Sequence, residues 1–327
     1  MKFLTAWDSG WFLEVVRHGY PAEIPAATGE VAKTAIPFFP LYPVTVRIVA
    51  WLLPVSDAAA AILVSLVAGA VALVVVHRLV EQVAGPAIAD RTALLLAFFP
   101  GSMVLSMAYA EALTLALAAG CLLGLLQRRW WLAGLCAGLA TASRITALAL
   151  VVACLWEAVR AIRARGEWRA MVAPALAPAG LVVFFAYLWV HTGEPLAYLQ
   201  AQRAWSQGGG VNFATGEYLL RFAGNPLESM IVASAGLCVI FAVIAGVALV
   251  RHRGPTVLWV YAFTVVAVSA VSRFDGLRPR DLLMAFPLFL GLATLMDRRR
   301  LAVTQALFAV FLVASLIGHN LKAWPQP

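Results

Sequence analysis

Asp8 sits between two tryptophans in the run Trp7-Asp8-Ser9-Gly10-Trp11-Phe12, followed by Arg17-His18-Gly19-Tyr20 and Phe38-Phe39-Pro40-Leu41-Tyr42-Pro43. A carboxylate can accept a hydroxyl proton, and one flanked by aromatics suggests a sugar or lipid site at a membrane surface. A second group, Phe98-Phe99-Pro100-Gly101-Ser102 with Ser106, Tyr109 and Glu111, contains the only acid between Asp90 and Glu157. A third, Arg273-Phe274-Asp275-Gly276-Leu277-Arg278-Pro279-Arg280-Asp281, places three arginines close together. Guanidinium groups hold phosphate through paired, charge-assisted hydrogen bonds. Arg144 stands in an apolar stretch with no acid near it in sequence. Each residue also has a plainer use. Trp7, Trp11 and Tyr42 suit interfacial anchoring, Asp8 suits a helix cap, and Glu111 suits a first helical turn, worth about 0.3–1 kcal/mol. Arg144 could snorkel to an interface, and His18 could be either a general base or a surface histidine.

The elements that position these residues must be membrane helices. The chain has 327 residues, 63% hydrophobic and 12% charged, against roughly half and a quarter for soluble domains. Its mean hydropathy is +0.88. These values exclude a soluble enzyme, a disordered chain and a secreted disulfide scaffold. Lipid offers the backbone no hydrogen-bond partners, so apolar runs of ~20 residues cross as helices. The runs predict crossings at about 58–77, 92–108, 109–127, 171–190, 230–250, 257–272, 282–296 and 301–318. The stretch of about 131–156 has basic residues on both flanks, so it is read as a hairpin of two short half-crossing helices, broken around Thr141 to Thr146 with Arg144 at the turn. The result is an all-α polytopic bundle of about eight full crossings plus that hairpin. Residues 1–57 form an outer loop with interfacial helices, and 58–327 form the bundle with outer loops 191–229 and 273–281.

With this arrangement, one set of loops carries 13 Lys and Arg in 41 residues and the opposite set 10 in 115. The positive-inside rule makes the first set cytoplasmic. Almost all the chemistry-bearing residues then lie on the outer face, including the long 191–229 loop with its Gly208-Gly209-Gly210 tract. The net charge of +8 is explained by this topology and implies no nucleic-acid partner. Cys121, Cys136, Cys154 and Cys238 lack metal-binding spacing and read as small buried hydrophobes. His18, His191 and His319 form no metal-ligand pair, so no metal or other cofactor is expected, although a divalent ion stays open.

Taken together, Trp7 to Phe12 with Gly19-Tyr20, Phe38 to Pro43, Phe98-Phe99-Pro100 through Tyr109-Ala110-Glu111, and the Trp130 to Ala142-Ser143-Arg144 stretch resemble the PIG-V type mannosyltransferases. These are the GPI mannosyltransferase 2 proteins and their bacterial relatives. Arg280-Asp281-Leu282-Leu283 to Phe286-Pro287 is similar to the family's arginine-led late helix, and the likeness spans about residues 7–293. The resemblance implies a GT-C glycosyltransferase whose outer loops carry the site, with a polyprenyl-phosphate sugar as donor and inverting transfer to a hydroxyl. Its catalytic acid in the first outer loop corresponds to Asp8. Two departures stand out: family members normally carry a transmembrane helix before the Trp-Asp motif, which this sequence lacks, and Ala110 replaces a more common Ser.

The chemistry of the residues agrees with that reading. A polyprenyl phosphate leaves without protonation, so one base suffices. Asp8 is the expected base, although Glu111 could exchange roles with it. Arg280, with Arg278 or Arg144, would hold the donor phosphate. Trp7, Trp11, His18, Tyr42, Tyr109 and Glu111 are the expected substrate contacts. The expected partners are a polyprenyl-phosphate sugar donor, membrane lipid, and a glycolipid, lipoglycan or protein acceptor, with mannose as the sugar. The expected location is a bacterial plasma membrane with the site on the extracytoplasmic face. An idle accessory subunit that binds lipid-linked sugar, and a lipid or solute transporter, are the competing readings.

Overall fold

The structure, a computed structural model, describes residues 3–24, 26–27, 30–205, 214–226, 228–271 and 277–320. The Gly208-Gly209-Gly210 tract and Arg273 to Gly276 lie outside the described residues. Sixteen α-helices account for nearly all the regular structure described. A two-residue antiparallel pairing, Ala26–Ala27 with Glu30–Val31, is the exception.

Two helices precede the bundle, α1 (Asp8–His18) and α2 (Leu41–Leu52). Five stretches are long and apolar enough to cross a membrane: Asp57–Ala84, Ile145–Arg165, Trp168–Thr192, Met230–Arg251 and Arg298–Gly318. The first is α3, which opens with a Ser56 cap whose hydroxyl accepts from the Ala59 N–H. Shorter apolar helices fill the spaces between: α4 (Pro86–Phe98), α5 (Glu111–Leu126), α6 (Trp130–Thr141) and, later, α13 (Thr256–Val271). This is an integral membrane protein with a helical bundle fold.

The break in the hairpin is present, but its second arm, Ile145–Arg165, is long enough for a full crossing rather than half of one. α6 ends at Thr141, Arg144 is extended (φ −157°, ψ 149°), and a short 3-10 turn at Ile145–Ala147 leads into α7 (Leu148–Arg165). A helix broken within a packed bundle must satisfy its freed backbone groups inside the protein. Here the Leu41 N–H donates to the Ala142 carbonyl at 2.9 Å, and Thr141 donates to the Ala177 carbonyl at 2.8 Å. Thr114 and Ser143 share a hydroxyl bond of 2.7 Å across α5 and the break.

Three expected crossings are interrupted, the one at 171–190 by no more than a turn at Ala177-Pro178. The stretch at 92–108 is not one helix: α4 stops at Phe98 and a 3-10 turn occupies Pro100–Leu105. Pro100 accounts for this, since the residue before a proline is driven to extended backbone, and Phe99 has ψ 140°. The stretch at 282–296 divides into α14 (Pro279–Met284) and α15 (Pro287–Thr294), each opened by a proline. Tyr261 of α13 donates to the Met284 carbonyl left open by this last interruption, at 3.0 Å.

The remaining helices are α8 (Val172–Leu176), α9 (Ala179–Thr192), α10 (Ala197–Trp205), α11 (Ala214–Gly224), α12 (Met230–Arg251) and α16 (Arg298–Asn320). One core of small and branched side chains joins the bundle. Cys121, Cys154 and Cys238 are buried in it as packing residues, and the Cys121 and Cys154 sulfurs lie 3.6 Å apart. The run of the helices sorts the ends. Glu111 begins α5 and Thr141 ends α6, so the break at Arg144 returns to the end where α5 starts. Arg128, Arg129 and the basic tail of α7 lie at the other end, where Trp130 donates to Glu167 at 2.8 Å.

Candidate functional site

Four charged side chains from four distant elements meet at the Glu111 end of the bundle. Asp8 opens α1, Glu111 opens α5, Arg144 occupies the hairpin break, and Arg280 is the second residue of α14. Arg280 Nη1 donates to Asp8 Oδ2 at 2.9 Å. The same Nη1 lies 4.0 Å from Glu111 Oε1, and Arg144 Nη1 lies 2.5 Å from that oxygen. The order is Asp8, Arg280, Glu111, Arg144, with the sign of charge alternating along it.

Burial differs along this chain. Glu111 is 1% exposed, whereas Arg280, Asp8 and Arg144 are 14%, 17% and 20% exposed. The ends are open enough to meet a ligand, and Glu111 is the closed centre. Its contact with Arg144 is close but poorly aligned, so both Glu111 oxygens, like Arg280 Nε, are buried without a hydrogen bond. Attraction to two guanidiniums, rather than directional bonding, holds this carboxylate. Buried polar atoms normally find partners, so these three mark a cluster held by charge rather than by directional bonds.

Local structure aims each member. Trp7, immediately before Asp8, has a left-handed backbone at φ 53°, ψ −121°. A non-glycine residue there carries strain of about 1–3 kcal/mol, which surrounding contacts must offset. Those contacts are on hand: the Asp8 N–H donates to the Tyr109 hydroxyl at 3.2 Å, and the Ala108 N–H donates to the Leu4 carbonyl at 2.8 Å. The 3-10 turn positions Arg280 from behind. A Cβ on Gly101 would lie 2.7 Å from the Pro279 carbonyl carbon and 3.0 Å from the Arg280 nitrogen, so only glycine allows this approach. Burial pushes the Tyr109 phenol above its usual range, with the Asp8 charge adding to the effect. Tyr109 therefore stays protonated and serves as a hydrogen-bonding group rather than a base.

The other expected site residues are not members of this charged chain. Trp7 packs edge-on to Phe3. Trp11 is stacked on Phe38 and edge-on to Trp205, in an aromatic group on the same end of the molecule. Tyr42 is fully buried, its hydroxyl donating to the Ala61 carbonyl at 2.8 Å and 2.9 Å from Ser65 Oγ, so it fastens α2 to α3. His18 is exposed at the end of α1. Arg278 caps α14, its backbone N–H donating to Asp281 Oδ2 at 3.1 Å.

Three contributors were given no role of their own by the sequence reading, two of them inside its motifs. Gly101 acts by closeness to a segment far away in the chain. Ser143 bonds Thr114 and ties the break to α5. Tyr198 of α10 sits near Arg144: burial pushes its phenol up, while a bond from Gln202 and the Arg144 charge act the other way. Among the described residues, no group of three His, Cys, Asp or Glu side chains could hold a metal ion.

The arrangement pairs a carboxylate able to take a proton with a guanidinium able to hold an anion, in direct contact. The model of glycosyltransferase family 87 matches residues 39–272, more than two thirds of the chain, a range that includes Glu111 and Arg144. Among solved structures, the chain is similar to ArnT from Cupriavidus metallidurans bound to undecaprenyl phosphate. The TM-score is 0.61 at 15% identity, covering 98% of this chain and 62% of that one. The same protein in its apo state gives 0.53 at 15% identity, covering 97% and 59%. This chain thus spans about three fifths of the length of the solved structures it matches. At that identity the likeness is one of fold, the GT-C fold. No curated protein matches.

Proposed function

The chain belongs to glycosyltransferase family 87, and from that premise we propose that it moves a hexosyl unit, mannose by the motif resemblance, from a polyprenyl-phosphate sugar to an acceptor hydroxyl on the extracytoplasmic face of a bacterial plasma membrane. The match names family 87, whereas the motifs resemble the PIG-V type. A membrane glycosyltransferase is common ground between them.

The observation that carries the proposal is the Asp8 to Arg280 contact at 2.9 Å. Asp8 is the base. The acceptor oxygen attacks the sugar C1 from the face opposite the phosphate, its proton passes to Asp8, and the C1–O bond breaks with its electron pair leaving on the polyprenyl phosphate. One displacement inverts the configuration. Arg280 binds the phosphate of the bound donor, and the bond strengthens in the transition state as the phosphate's charge grows. This guanidinium is bonded to the base, so a donor phosphate that draws Arg280 away also frees Asp8. The two events are thereby coupled, and the base acts only when donor is bound. Glu111 holds Arg280 and Arg144 side by side, and Tyr109 fixes the backbone of Asp8.

Two further observations support a lipid-linked donor. An apolar groove of about 670 Å³ runs between α11, α12 and α13, from Arg251 to Leu277, which adjoins Arg278 in the chain. It is shaped for an isoprenoid tail whose phosphate reaches the arginines. The similar ArnT structure was solved bound to undecaprenyl phosphate. The basic ends of the helices lie opposite the site, which supports an outward-facing site by the charge rule.

The test is transfer by purified protein in lipid, with radiolabelled polyprenyl phosphate mannose and parallel polyprenyl phosphate hexoses, against a crude membrane-lipid acceptor pool. Label appearing in a new product of inverted configuration is expected. Absence of transfer from every such donor, with donor binding intact, would leave an idle accessory subunit as the better reading.

A further inference from the structure

At the end of the bundle away from the site, a cavity of about 320 Å³ opens among Gln82, Arg128, Glu157, Arg160, Arg165 and Pro255. Three guanidiniums face one carboxylate in its wall. Glu157 is 5% exposed and is held by Arg160 through two bonds of 3.0 and 2.8 Å. Arg165 reaches outward to Glu167 at 3.4 Å. The proposed transfer uses none of these groups, and the cavity keeps an excess of positive charge.

Its height in the membrane is readable. Trp131 and Trp168 are exposed near this end, and Trp156 is 42% exposed, donating to Thr256 at 2.9 Å. Exposed tryptophans collect at the level of lipid headgroups. Val152, Trp156 and Arg160 are spaced four residues apart on α7 and so share one face, and all three are exposed. This stripe runs from an apolar side chain through an interfacial tryptophan to a guanidinium. It matches the order of acyl chain, glycerol and phosphate in a phospholipid.

We propose that this cavity binds the phosphate headgroup of an anionic membrane phospholipid, with its acyl chain lying along the Val152 and Trp156 face of α7. Arg128, Arg160 and Arg165 supply charge-assisted bonds to the phosphate. The lipid braces the ends of α3, α5 and α7, which line the cavity.

The test uses the full chain in detergent, titrated separately with phosphatidylglycerol and phosphatidylcholine, with bound lipid counted by native mass spectrometry. Retention of phosphatidylglycerol alone is expected. Arg128→Gln and Arg165→Gln should each weaken it about fivefold, the effect of one basic residue at a membrane surface. Arg300→Gln, at the same end but outside the cavity, should leave it unchanged. Equal retention of phosphatidylcholine, or an equal loss with Arg300→Gln, would overturn the proposal. Displacement by millimolar inorganic phosphate would replace the lipid with a soluble anion. Melting curves of lipid-free variants identify any loss due to misfolding, and a variant that melts early leaves the test to the other one.

Discussion

Replacing Asp8 with Asn separates the two halves of the proposed chemistry, because the amide keeps the size of the side chain and one oxygen able to accept from Arg280. The Asp8 to Arg280 contact of 2.9 Å corresponds to a gross attraction of about 6 kcal/mol at an effective dielectric of 20 and about 1.4 kcal/mol in water. Exposures of 17% and 14% place the pair between these limits, and solvation of the separated charges offsets part of it. Asn removes the charge that competes with the donor for Arg280. Donor affinity should therefore stay equal or tighten, up to about tenfold if the lower figure is recovered in full. Turnover should fall by about 10²–10⁴, the usual contribution of a general base, or about 3–5 kcal/mol of barrier. The assay is single-turnover transfer of labelled sugar at saturating donor, paired with donor binding at equilibrium. Turnover within about threefold of the parent would refute Asp8 as the base. A parallel collapse of turnover and donor binding would instead make it a structural residue.

Arg280→Gln should behave oppositely: donor binding weakens at least tenfold, as expected for a lost charge-assisted contact of about 1.5–3 kcal/mol, and unchanged affinity removes it from the phosphate site. Glu111→Gln should destabilise the fold by up to about 3 kcal/mol, the low end for breaking a buried ion pair because Arg144 is partly exposed, and should weaken donor binding; a melting temperature and donor affinity both equal to the parent would contradict its role as shared counter-ion. Gly101→Ala should cost about 1–3 kcal/mol through overpacking against Pro279 and should weaken donor binding by moving Arg280, so loss of stability with unchanged donor affinity would show that the turn does not set the Arg280 position.

What could be read in advance follows from the cost of charge in a membrane chain. Asp8, Glu111, Arg144 and Arg280 stood out because lipid makes each charge expensive and few are retained without use. Their pairing was not legible. Asp8 and Arg280 lie 272 positions apart, and Arg144 has no acid near it in sequence because Glu111 reaches it from another helix. Aromatics were read less well. Trp11 and Tyr42 serve packing in one case and helix fastening in the other, and residue type alone does not distinguish a buried ring from one that meets a ligand. Helix continuity was obscured by composition. The runs at 92–108 and 282–296 are uncharged throughout, yet Pro100 and Pro287 interrupt them, and the resulting short segments place Gly101 against Arg280.

The charge count of the cluster explains how four charges can sit together and still favour the proposed reaction. Two carboxylates and two guanidiniums alternate, so the group carries no net charge in its formal ionised state, and each member neutralises a neighbour that would otherwise be costly at the membrane edge. A polyprenyl phosphate sugar is a phosphodiester with one negative charge. Its departure yields a phosphomonoester approaching two. As the acceptor proton passes to Asp8, that carboxyl becomes neutral and the cluster gains one positive charge. Proton transfer therefore leaves the cluster with the counter-charge that the leaving phosphate requires, next to the arginine that the donor has drawn from the base. A site with Arg280 but no Asp8 would bind the donor without this coupling, and a site with Asp8 alone would leave the departing charge unsupported. Their direct contact links the two functions.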